Sequence, residues 1–155
     1  MLIAESTNWL GSRYAVREDG EPLTELSLRN LREGGDCTLG GVPYTLRREG
    51  AAGDFVMQEP GGVEAARARK PSAFKRRFEL RYPAGTLRVE SASGWGKSYR
   101  VLGADGGQIG EVRRRSLWRR QVDAALPDEV PRHVQVFVLF LVLLMLRRDE
   151  AAGSS

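Results

Sequence analysis

The chain has 155 residues, 41% of them hydrophobic and 28% charged, which is one domain's worth of polypeptide and too apolar for a disordered chain. Its single cysteine, Cys37, excludes an intrachain disulfide and a multi-cysteine zinc centre, so a reducing, cytoplasmic setting is the expectation. The net charge of +4 permits an anionic partner without requiring one.

The start, Met1-Leu2-Ile3-Ala4-Glu5, turns polar at once and lacks the basic leader and apolar run of a secretion signal. From residue 13 to about 122, short runs of alternating polarity are cut by turn residues drawn from 18 Gly and 7 Pro. That is the spacing of an antiparallel, strand-rich fold. Tyr14 and Val16 alternate ahead of the turn Asp19-Gly20, and Leu26 and Leu28 lie on the return. Gly40-Gly41 precedes Val42, Tyr44 and Leu46 on one face, and Phe55-Val56-Met57 runs into Pro60-Gly61-Gly62. Phe78, Leu80 and Tyr82 point one way and Arg77, Glu79 and Arg81 the other, before the turn Pro83-Ala84-Gly85 and a return through Leu87 and Val89. A further hairpin joins Tyr99–Leu102 to Gln108–Val112, and a last strand is predicted around Ser116–Val122, including Trp118. Roughly ten to twelve strands follow from this period-two reading.

After Leu126-Pro127-Asp128-Glu129-Val130-Pro131 the character changes. Val134 to Leu146 is apolar except for Gln135 and ends at Arg147-Arg148. Its length and lack of turn residues predict a helix, with acids before its start and arginines at its end complementing the dipole. A helix apolar on every side must be surrounded completely. At 1.5 Å per residue the run is about 20 Å long, short of a hydrocarbon core of about 30 Å, so the helix is expected inside protein, with no transmembrane insertion. A strand-rich chain that closes on itself can supply that enclosure.

The hairpin series Arg13–Val122, the segment Asp105-Gly106-Gly107-Gln108-Ile109-Gly110-Glu111-Val112 and the stretch Leu126–Leu146 together resemble the tubby C-terminal-like superfamily, which includes the LURP-one-related proteins and the phospholipid scramblases. The resemblance covers most of the chain and lies in the order of elements. It implies a mainly β fold, a closed antiparallel β-barrel of about twelve strands enclosing a C-terminal hydrophobic central helix. The corresponding layout is one domain over 1–150, a helix at about 131–148 and a disordered tail at 151–155. It also implies a non-enzymatic binding or scaffolding module, since tubby proteins bind membrane phosphoinositides. The alternative it leaves open is a membrane-anchored, scramblase-like protein using the C-terminal helix.

Candidate chemistry is sparse. Ser93-Gly94-Trp95-Gly96-Lys97-Ser98 has the end of a phosphate-binding loop, but Ser91 stands where the first glycine belongs and a strand, not a helix, is predicted to follow. His133 is the only histidine and has no nucleophile signature around it, so it reads as a polar residue at the helix entrance. No spacing suggests a cofactor or metal. Two basic runs remain, one with Arg67, Arg69, Lys70, Lys75, Arg76 and Arg77, the other with Arg113, Arg114, Arg115, Arg119 and Arg120. Consecutive arginines on a strand face opposite ways, so Arg76 or Arg114 is expected inward or at a barrel rim, where it needs a partner or an anionic ligand. The anion-binding candidates are therefore Lys75, Arg76, Arg77, Arg113, Arg114, Arg115, Arg119 and Arg120. Their ligand would be a phosphoinositide or another phosphate-bearing or protein partner. Nucleic acid is the lesser reading, because Trp118, which could stack a base, belongs more naturally to a core.

Overall fold

Alternation of polarity builds the wall. The computed structural model describes residues 1–29, 33–70, 76–92, 98–116 and 120–153. Its strands are β1 (Leu2–Ser6), β2 (Arg13–Glu18), β3 (Glu21–Leu28), β4 (Gly35–Leu39), β5 (Val42–Arg48), β6 (Phe55–Gln58), β7 (Glu64–Arg69), β8 (Arg77–Tyr82), β9 (Gly85–Ser91), β10 (Ser98–Leu102), β11 (Gln108–Ser116) and β12 (Gln121–Ala125), followed by one helix, α1 (Arg132–Gly153). All twelve strands are antiparallel to their neighbours in sequence, and β1 closes the barrel on β12 through Leu2↔Ala124 and Ala4↔Val122. Closure removes the sheet's two free edges. Among the described residues the fewest registered pairs join β3 to β4, Ser27↔Asp36 and Leu28↔Gly35. Farther along, the Thr24 hydroxyl bridges the strands, donating to the Thr38 carbonyl at 2.7 Å and accepting from the Thr38 amide at 3.3 Å.

Inward residues such as Leu2, Val16, Leu26, Leu46, Met57, Phe78, Leu80, Val89, Tyr99, Val101, Val112 and Val122 are almost wholly buried, and they meet α1, which fills the barrel. Every residue from Val134 to Leu146 is buried, so the helix has no face left for lipid, and no helix among the described residues is long and apolar enough to cross a membrane. Phe140 lies edge-on to Phe55 at 6.0 Å between ring centres, and Phe55 edge-on to Phe78 at 5.8 Å, the geometry aromatic quadrupoles favour. The lone polar residue, Gln135, is satisfied locally: its Nε2 donates to the carbonyls of Val130 and Pro127 at 2.9 and 3.4 Å.

Three expectations need correction. The alternation begins at Leu2, not residue 13, because β1 is needed to close the barrel. The final strand is β12 at Gln121–Ala125 rather than Ser116–Val122; β11 runs on to Ser116, and Arg120, with φ 47°, turns the chain before β12. Trp118 lies outside the described residues. Finally, α1 continues past residue 148 into the supposed tail, to Gly153. Asp149 and Glu150 pair with Arg76 and Arg114 of the wall at 3.0 and 2.8 Å, which ties down the last turns, and Ala151 and Ala152 favour helix. Arg147 and Arg148 thus sit short of the helix end instead of capping its dipole.

Candidate functional site

The two ends of the barrel differ in charge. Around the start of α1 lie Glu18, Asp19, Glu21 and Asp128, with Arg132 paired to Glu18 and the chain's amino group to Asp19. Acids at this end suit the positive pole of the helix. Around its other end lie Arg48, Lys70, Arg76, Arg114, Arg120, Arg147 and Arg148. Burial, followed by Arg148 and Arg48, pulls the Lys70 pKa down against the opposing pull of Glu33 and Asp149.

The rim brings some predicted arginines together and leaves others apart. Arg76 and Arg114 converge on α1 through Asp149 and Glu150. Between them the Tyr99 hydroxyl is buried with no hydrogen-bond partner among the described residues, and burial, then Asp149, push its pKa up to about 12. Arg77, whose Nε is also buried with no partner among the described residues, reaches Glu79 at 3.8 Å. Arg113 and Arg115 stand on the outer face of β11, paired with Glu111 and Asp123 at 2.9 and 2.7 Å. Five of the candidates are thus partnered by carboxylates of their own chain. Arg120 is the exception: its guanidinium lies against Gly11, where a Cβ would stand 2.0 Å from Nη1 and 3.3 Å from the Tyr14 hydroxyl. Only glycine allows that approach, and Gly11 itself has φ 60°. Lys75 and Arg119 lie outside the described residues, as do residues 93–97 of the glycine-rich segment; β10 follows that segment directly.

Sequence reasoning missed what stands beside Arg120. The β1–β2 connection is locked by Asn8, whose Oδ1 accepts from the amides of Ser12 and Arg13 at 3.1 and 3.4 Å while its Nδ2 donates to the Ser12 hydroxyl at 2.7 Å. The Ser6 hydroxyl donates to the Asn8 carbonyl at 2.7 Å, and the Thr7 amide to the Arg13 carbonyl at 2.9 Å. The fixed tip presents Trp9 97% exposed and Leu10 70% exposed. An apolar pair read from sequence suggests burial; the tight turn denies it.

No family model matches this sequence, and neither a curated protein nor a solved structure matches it. The geometry therefore speaks alone. At the opposite end, His133 stacks on Tyr44 with ring centres 5.6 Å apart and planes 5° from parallel, and burial lowers its pKa. Burial likewise pushes the Cys37 thiol up to about 12, leaving it a poor nucleophile. Among the described residues no three His, Cys, Asp or Glu side chains are grouped to hold a metal.

Proposed function

We propose that this chain is a non-enzymatic, tubby-like binding module that settles on an anionic, phosphate-bearing lipid surface with the rim at the C-terminal end of α1. The observation that carries the reading is the rigid display of Trp9 and Leu10 beside Arg120 and the exposed Arg13. An indole belongs at the boundary between headgroup and acyl chain, and each nearby Arg or Lys adds about 1 kcal/mol of attraction to an anionic leaflet. The enclosed helix favours contact from outside over insertion. A closed barrel wrapped around an apolar helix supports the tubby-like reading, with phosphoinositides among the headgroups it would meet.

Sedimentation with vesicles of phosphatidylcholine, with and without anionic lipid, tests this. The expected result is retention on anionic vesicles that falls with salt and drops about tenfold or more in Trp9→Ala/Leu10→Ser, since burying a leucine alone contributes about 1.5–3 kcal/mol and 1.4 kcal/mol is tenfold. Arg120→Ser should weaken it further, whereas Arg113→Ser should do little because Glu111 already engages that guanidinium. Equal pelleting of the loop variant and wild type would sink the proposal.

A further inference from the structure

A second basic surface lies on the barrel wall and meets the rim only at Lys70. On the outer faces of β7, β8 and β9, Arg67 stands opposite Arg81, and Glu79 stands opposite Arg69 on one side and Arg88 on the other. These residues floor a groove of about 1060 Å³ that runs from the β5–β6 turn at Gly53 to the β10–β11 turn at Gly103. Arg67 is already engaged by Glu49, Asp54 and Glu64 at 2.7–3.0 Å. Arg69, Arg81 and Arg88 are exposed and have no ion-pair partner among the described residues.

Their arrangement selects among polyanions. Diagonal neighbours on an antiparallel sheet are about 7–8 Å apart, and Arg69 and Arg88 both stand level with Glu79, so with Arg81 they form a triangle of cations across β7, β8 and β9. Nucleic acid fits worse: Glu79 interrupts the cationic track, and among the described residues no aromatic side chain lines the groove itself, Tyr82 lying in the adjoining cleft. The β9–β10 ladder stops at Arg88↔Leu102, so Gly85–Leu87 is laddered only to β8. At that gap the groove opens into a cleft of about 570 Å³ containing Ala84, Ile109 and Pro127, and Thr86, Leu87, Gly103 and Ala104 line both spaces. Ile109 is 39% exposed there.

We infer that this groove docks an extended acidic segment of a partner protein. Its carboxylates meet Arg88 and, across β9, Arg81, with Arg69 adding to the positive field behind them, the segment's main chain lies along Gly85–Leu87, and an apolar side chain enters the cleft at Ile109. Main-chain pairing at an open strand supplies affinity and the pockets supply choice. The surface shares Lys70 with the lipid-facing rim, but Trp9, Leu10 and Arg120 are not in its lining, so either can fail without the other.

The probe is an equimolar pool of fluorescent heptapeptides in which Asp or Glu alternates with Val, Leu or Ile, titrated with the full chain at low salt. Fluorescence polarisation should report saturable binding that weakens about tenfold or more in Arg69→Ser/Arg81→Ser/Arg88→Ser. It should also weaken several-fold in Ile109→Ser and when the peptide amides are N-methylated. Trp9→Ala/Leu10→Ser should bind the pool as wild type does. No saturable binding, undiminished binding to the triple arginine variant, or equal affinity for the N-methylated pool would each overturn the inference, as would arginine-dependent capture of a single-stranded oligonucleotide with none of the peptides.

Discussion

Replacing Gly35 by alanine probes the thin β3–β4 seam directly. A Cβ built there stands 2.1 Å from the Ser27 carbonyl oxygen, which is backbone, and 3.4 Å from Phe140 Cε2, whereas real Cβ contacts stay above 3.0 Å. The strands must therefore part by about 1 Å, because Phe140 on the far side offers no room in a close-packed interior. Overpacking of this kind costs about 1–3 kcal/mol, and a weakened ladder hydrogen bond adds about 1 kcal/mol. The total of about 2–4 kcal/mol predicts a fall in Tm of roughly 5–15 °C for a chain of this length, measurable by calorimetry. Gly40→Ala makes the comparison: φ is 56° but the space is open, so only the left-handed backbone penalty of about 1–2 kcal/mol applies. A Gly35→Ala protein melting within 2 °C of wild type, or above Gly40→Ala, would refute the steric argument.

Removing the unpartnered hydroxyl in Tyr99→Phe should leave stability unchanged or raise it, because a buried donor without a partner carries its desolvation penalty uncompensated; a loss of about 1 kcal/mol or more in urea unfolding would show that the hydroxyl has a partner. His133 gives a pH dependence. Burial holds its folded pKa below the ordinary 6.5 against the opposing pull of Glu59, so the unfolded chain binds more protons just below that pH. Its contribution is complete above 6.5 and declines as pH falls toward the folded pKa. Urea midpoints from about pH 5 to 8 should show wild type losing ground to His133→Phe on the acid side, and parallel curves would exclude the shift.

Much of the wall was legible because a strand with one buried face writes itself in alternating residues, as Phe78, Leu80 and Tyr82 do. The enclosed helix was legible for the opposite reason, since Val134–Leu146 has no polar face to offer solvent. Three strands were harder, among them Gly35–Leu39, which is short and begins on a glycine. Leu2–Ser6 is short and borders a polar run, and β7 reads Glu-Ala-Ala-Arg-Ala-Arg, a composition that suits a helix until pairing with β6 and β8 overrides it. The basic runs were visible, but their partners were not: Asp149 and Glu150 reach Arg76 and Arg114 across more than 30 residues, a relation no local pattern carries. Trp9 was invisible as a surface feature because its exposure comes from the Asn8 clamp.

Threading α1 through the closed wall has a consequence for how the chain is made. Synthesis delivers all twelve strands before the helix they surround, so a nascent chain holds Leu26, Leu46, Phe78 and Val101 with nothing to close around. Closure also awaits β12, which must return to Leu2 across more than a hundred residues, and such distant pairings form slowly. The barrel cannot mature strand by strand from its N-terminal side. It should collapse in one late step after α1 emerges, and until then it is a natural client for chaperones that shield apolar strands.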